Sequence, residues 1–249
     1  MRKLGSPVRL GLLMVIACAL LSMPAGAGGI NLTWGDGCWA DNPQTVQTFA
    51  CDTNTGTFSM TASFSPNVNQ AITSFTTRVD LQTDAAALPD WWQICSQGGC
   101  RTGSLTATAI VNPPGGNCVY AWPGGQPDVF VTWGTALWCS SGTLPPNRAQ
   151  ARGDFGGTAS AVLHPGTEYY GFRLTIDAQK TTGAGACGGC SVPATIVLNE
   201  IRLFGGVTVD PVTTPLSNTC LRWQAAGTTP CSATPVRNAT WGAIKSFYR

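Results

Sequence analysis

Residues 169–204 read YYGFRLTIDAQKTTGAGACGGCSVPATIVLNEIRLF, and their reading decides the fold class. Over Tyr169 to Ala178, the residues Tyr170, Phe172, Leu174, Ile176 and Ala178 fall on one face. Tyr169, Arg173, Thr175 and Asp177 fall on the other, which is the period-two alternation of a half-buried strand. Val197, Ile201 and Leu203 alternate with Leu198, Glu200 and Arg202 in a second run. The glycine-rich stretch between them holds no regular element, because glycine loses the most backbone freedom on ordering. The expectation is two strands of one sheet, joined by a loop that carries Cys187-Gly188-Gly189-Cys190.

Working outward, the same patterning recurs. Thr57 to Phe64 alternates without error, Ala71 to Thr83 does so with Phe75, Thr77, Val79 and Leu81 on one face, and Leu105 to Val111 reads as a shorter strand. Ile30 to Trp34, Thr158 to Leu163 and Asp128 to Cys139 complete the set, with Pro145 to Gly157 read as a connection. Turn residues punctuate the chain and no amphipathic helix pattern precedes residue 240. The fold expected is all-β: a single antiparallel β-sandwich, immunoglobulin-like or jelly-roll-like, stapled by disulfides.

The ends are different in kind. Residues 1–27 carry Arg2, Lys3 and Arg9, an apolar run and Ala25-Gly26-Ala27, the layout of an export signal peptide. Val15-Ile16-Ala17-Cys18 also fits a lipoprotein box, which would anchor the chain through Cys18. No later run is long enough to span a bilayer as a helix. The sandwich is assigned to 28–206, a Pro/Thr-rich extension pinned by cysteines to 207–236, and a short terminal helix or tail to 237–249, where Trp241, Ile244 and Tyr248 share a helical face. The expected location is secreted or cell-surface.

Leaving out the signal, eleven basic residues face twelve acidic ones, with Lys180 and Lys245 as the only lysines. That balance offers no footprint for nucleic acid. Ten cysteines remain: Cys38, Cys51, Cys95, Cys100, Cys118, Cys139, Cys187, Cys190, Cys220 and Cys231. In an exported chain they imply disulfides. Pairing by nearness in sequence gives Cys38 with Cys51, Cys100 with Cys118, Cys187 with Cys190 and Cys220 with Cys231, leaving Cys95 for Cys139; spacing alone does not fix the connectivity.

Leu88-Pro89-Asp90-Trp91-Trp92-Gln93, the Cys187-Gly188-Gly189-Cys190 loop and the ending Trp241-Gly242-Ala243-Ile244-Lys245-Ser246-Phe247-Tyr248-Arg249 resemble a group of uncharacterised exported bacterial proteins. The resemblance implies export and a β-rich fold and brings no activity or site residues with it. The terminal motif alone resembles the endings of otherwise different exported proteins, which implies a sorting or attachment tail.

Catalytic motifs are scarce. The single histidine, His164, sits beside a Pro-Gly turn, and there is no G-x-S-x-G elbow and no H-E-x-x-H. Asp80, Asp177 and Glu200 could serve a glycoside hydrolase, but Arg78, Arg173 and Arg202 share their faces and account for them as ion pairs. The Cys-Gly-Gly-Cys pair reads as structural rather than redox-active or zinc-binding, and Asp52 to Gly56 as a plain turn rather than a calcium loop. No metal, cofactor or enzymatic activity is expected. Trp39, Trp91, Trp92 and Trp122 lie in or beside loops, and exposed tryptophans are how many sandwich modules stack on sugar rings. The expectation is a non-catalytic surface module binding a glycan or another cell-envelope component through those four. The alternative is a structural or adhesive protein held by its C-terminal tail, its tryptophans serving the core.

Overall fold

The structure, a computed structural model, describes residues 28–94, 98–109, 117–122, 130–132, 144–206, 208–225 and 227–231. The expected signal peptide, Cys18, Cys95, Cys139 and the segment 237–249 expected to form a short helix or tail lie outside the described residues. Two β-sheets face each other. The first has β1 (Gly29–Trp34), β3 (Thr57–Ser65), β9 (Tyr169–Asp177) and β5 (Leu105–Thr108) in that order, with the short β6 (Val119–Tyr120) parallel to β9. The second runs β2 (Val46–Gln47), β12 (Cys220–Trp223), β10 (Ala194–Gly205), β4 (Gln70–Thr83), β8 (Arg148–Leu163) and β7 (Phe130–Thr132), with β11 (Thr208–Val212) also on β10. Pairing is antiparallel apart from β6 with β9 and β2 with β12. The all-β sandwich therefore stands, and the stretch read as an extension supplies β11 and β12 to the larger sheet.

The two strands that decided the fold class lie in different sheets, which corrects the expectation of one sheet. Alternation reports one buried face and not which sheet owns it, and the loop between them is long enough to cross the sandwich. The facing of β10 is corrected too. A bulge between Leu198 and Glu200 shifts the pattern, so that Ile196, Leu198, Ile201 and Leu203 all point inward. Nor is 148–157 a connection, because Arg148 to Leu163 forms one strand along β4. Its inward residues include Ala149, Ala151 and Gly153, whose small side chains carry little hydrophobic signal.

Tryptophans build the core. Trp223 lies 4.3 Å from Phe49, 4.9 Å from Phe58 and Trp91, and 5.2 Å from Trp92, measured between ring centroids. Its indole N–H donates to the Cys190 carbonyl at 2.7 Å, and that of Trp91 to Thr181 Oγ1 at 3.0 Å, so the polar ends of these rings are satisfied inside. Toward the other end of the sandwich, Phe75 stacks on Phe155 and Trp122, and Phe155 on Phe172. The guanidinium of Arg101, fully buried, lies 3.7 Å above the Trp91 ring and donates to the carbonyls of Trp91, Asp177 and Gln179. Burial pushes its pKa down to about 10, with the Asp177 charge pulling the other way.

Four disulfides are formed among the described residues: Cys38 with Cys118, Cys51 with Cys190, Cys100 with Cys187, and Cys220 with Cys231. The last is as expected from spacing. The other three correct the pairing by nearness, since a sandwich brings together segments far apart in sequence. Cys187 and Cys190 do not bond to each other. They fix one loop at two points, Cys187 to the 98–104 segment and Cys190 to the loop between β2 and β3, while Asn54 Oδ1 receives the amides of Thr181 and Thr182 at 2.7 and 2.8 Å. Three of these bridges close loops of 80, 87 and 139 residues in sequence separation. In a chain-entropy model each contributes about 4 to 5 kcal/mol.

Candidate functional site

The four tryptophans do not share an exposed face. Trp91 and Trp92 are fully buried on the 3-10 turn Asp90–Trp92, and Trp122 is packed between the sheets on Phe75. Trp39 alone is half-exposed, on the turn Trp39–Asp41 that covers the outer side of the smaller sheet. The Glu168 carboxylate holds that turn by receiving the amides of Trp39 and Ala40, each at 3.3 Å, together with Ser63 Oγ and Asn31 Nδ2. Glu168 is thus occupied in fixing a loop. A ligand stacked across the four rings is ruled out by this placement.

The catalytic alternatives fare no better. His164 lies exposed with Nδ1 3.0 Å from Asn69 Oδ1, and its backbone N–H donates to the Tyr169 hydroxyl at 2.9 Å. Neither partner is a serine or a carboxylate. Cys187 and Cys190, the pair weighed for a zinc or redox role, are bonded to Cys100 and Cys51 respectively. Among the described residues no group of three metal-ligating side chains comes together, and no helix is long and apolar enough to cross a membrane.

What the larger sheet offers instead is its outer face. Core-facing positions of β10, β4 and β8 are apolar, and the alternate positions, two residues or about 6.8 Å apart along each strand, form cross-strand rows. One row sets Phe204 opposite Ser74, and Ser74 opposite Gly156, with Val209 of β11 beyond Phe204. Because Ser74 and Gly156 are small, an open trough of about 340 Å³ lies beside Phe204, lined also by Thr76 and Asp154. Phe204 is half-buried and Val209 is 49% exposed. The next rows are polar, Arg202, Thr76 and Asp154, then Glu200, Arg78 and Arg152, and beyond them the buried Val197 lies beside Asp80 and Gln150. Asp80 receives the side-chain amides of Gln150 and Asn199, each at 2.7 Å, and Arg152 Nε donates to Gln150 Oε1 at 2.7 Å.

At the top of this face the segment around Thr229 lies against β10. Thr195 Oγ1 donates to the Thr229 carbonyl at 3.2 Å, and Asp84 receives the amides and hydroxyls of Thr228 and Thr229. Burial acts to raise the Asp84 pKa, but these four donors outweigh it and hold the carboxyl below its ordinary range. The alternation of β4 announced its outward residues, and that of β10 announced Glu200 and Arg202 beyond the bulge. What the sequence did not signal is that β8 lies beside them, because its connection-like composition concealed the strand that completes the rows.

No family model matches the chain, and no curated protein matches it. Among solved structures, a cohesin module of a family 33 glycoside hydrolase from Clostridium perfringens covers 80% of this chain and 97% of its own, with 8% identity and a TM-score of 0.37. The seventh ScaB type I cohesin of Pseudobacteroides cellulosolvens covers 83% and 98%, with 9% identity and a TM-score of 0.30. Scores this low carry no argument about function, and the architecture is defined by the strand pairing alone.

Proposed function

We propose that this chain is an exported, non-catalytic binding module that docks another protein on the outer face of its seven-stranded sheet. The observation that carries the reading is the composition of that face: Phe204 and Val209 at one end of an array of arginines and hydrogen-bonding side chains. Protein interfaces are enriched in aromatics and arginine and contain an apolar centre with a polar rim. A glycan, the ligand class to which the loop tryptophans pointed, needs a flat exposed ring, and three of those four rings are in the core. Four disulfides set the module in an oxidising compartment, where a rigid, stapled scaffold presents its surface without rearrangement.

The test is site-specific photo-crosslinking in cells that export the protein, with the photoreactive residue at Phe204 or Thr76, and at Thr106 of the smaller sheet as the control. The expected result is a protease-sensitive adduct of defined mass from the first two positions and none from Thr106. A protease-resistant carbohydrate adduct would return the reading to a glycan. Equal adducts from all three positions, or none from any, would overturn the docking face altogether.

A further inference from the structure

We infer that the docking face selects its protein partner by carboxylate groups, with Arg78 and Arg152 as the central anion clamp and Arg148 as its flank. The inference rests on the docking reading above and names the chemistry of the partner: a segment rich in aspartate or glutamate. Arg78 and Arg152 lie directly opposite one another on β4 and β8. Like charges in that position repel across a sheet, a cost that a folded chain ordinarily avoids by placing an acid between them. No acid serves here. Among the described residues the ion pairs are Arg173 with Asp36 and Arg202 with Glu200. Glu200, the neighbour of Arg78 on its other side, is thus engaged by Arg202 at 2.8 Å. Asp80 receives amides from Gln150 and Asn199, and Asp154, two residues along β8 from Arg152, forms no ion pair.

No carboxylate neutralises these arginines: Arg152 is exposed and its Nε donates to an uncharged amide, while Nε of Arg78 and Nε of Arg148, which have no hydrogen-bond partner, face inward, so that a partner would meet the Nη ends of the guanidinium groups. An arginine fork matches a carboxylate with two parallel hydrogen bonds, so two forks on adjacent strands suit consecutive acidic side chains of an extended partner. Phe204 and Val209, two rows away, would take the apolar residues that flank such a segment.

The test uses the full oxidised mature protein labelled with ¹⁵N-arginine, and follows the arginine Nε–Hε signals by NMR as a deca-glutamate peptide is added. A deca-glutamine peptide and dextran sulfate serve as comparisons. Expected are saturable shifts of the Arg78 and Arg152 signals with deca-glutamate, none with deca-glutamine, and weakening with added salt. Arg152→Gln, a change at an exposed position, should weaken deca-glutamate binding about tenfold or more. Shifts with dextran sulfate and none with deca-glutamate would overturn the inference in favour of a sulfated glycan. Equal response to both peptides, or no response to either, would overturn it as well. The crosslinking experiment separates this failure from that of the docking reading: an adduct at Phe204 that persists unchanged in an Arg78→Gln, Arg152→Gln variant leaves the face and removes the clamp.

Discussion

Trp223 sits where five aromatic rings meet, with its indole N–H spent on a backbone carbonyl. Trp223→Ala should therefore lower stability by about 3 to 5 kcal/mol in urea titrations, whereas Trp39→Ala on its half-exposed turn should change it by less than about 1 kcal/mol. The contrast between these two residues marks a limit of sequence reading. Both follow a short run of polar and glycine residues or a strand of mixed character, and nothing in their immediate neighbours distinguishes a ring that fills a core from one that lies on a surface. Trp91 and Trp92 illustrate the same limit. Both were read as ligand-stacking rings from their place in a loop, yet a 3-10 turn packs both inward, edge to face at 4.8 Å. Asp84 gives a charge-based prediction. Its carboxyl is held below the ordinary value of 3.8, so its contribution to stability is complete above that value and is lost as pH falls through the lower folded-state pKa. Asp84→Asn should melt below the wild type at pH 7, and the two melting temperatures should converge as the pH is taken down toward 2.

At the level of elements, strands with large inward residues were legible and strands with small ones were not. β3 and β4 place Met60, Phe64, Phe75, Val79 and Leu81 inward, and their alternation was read within a residue or two of the true limits. β8 places Ala149, Ala151 and Gly153 inward along half its length and was read as a connection. The smallest of them has a physical role, because the Phe155 ring occupies the space beside Gly153. A Cβ on Gly153 would lie 2.7 Å from the Phe155 ring. Gly205 is the more severe case, since a Cβ there would lie 1.9 Å from the Ala71 carbonyl oxygen, a backbone atom with little freedom to move. Gly205→Ala should cost about 1 to 3 kcal/mol by forcing β10 away from β4, seen as a lowered melting temperature with unchanged cysteine pairing. Phe204 would move with it, so the same variant should also reduce crosslinking from that position.

Across the whole molecule, the all-β class and the disulfide-forming role of the cysteines were legible, while the assignment of strands to sheets and, apart from Cys220 with Cys231, the disulfide partners were not. Both depend on which distant segments meet, and local pattern carries no information about that. The crossed pairing has a kinetic counterpart. Closing a short loop is entropically easier than closing a long one, so Cys187 with Cys190 should be among the first bonds formed in a reduced chain and must then be exchanged for Cys100 and Cys51. Peptide mapping during refolding should find the Cys187–Cys190 bond early and lose it late, and a catalyst of disulfide exchange should shorten that interval. The finished pattern also determines how the molecule responds to being pulled. Tension applied between Gly28 and Cys231 follows the covalent chain to Cys51, passes through the bridge to Cys190, and leaves through Cys220. Everything between Cys51 and Cys190, including β3, β4, β8 and β9, lies on a closed side loop that a stretching force cannot draw out. The oxidised chain is thus a short tether, and most of the sandwich hangs from it as slack that is never paid into the line.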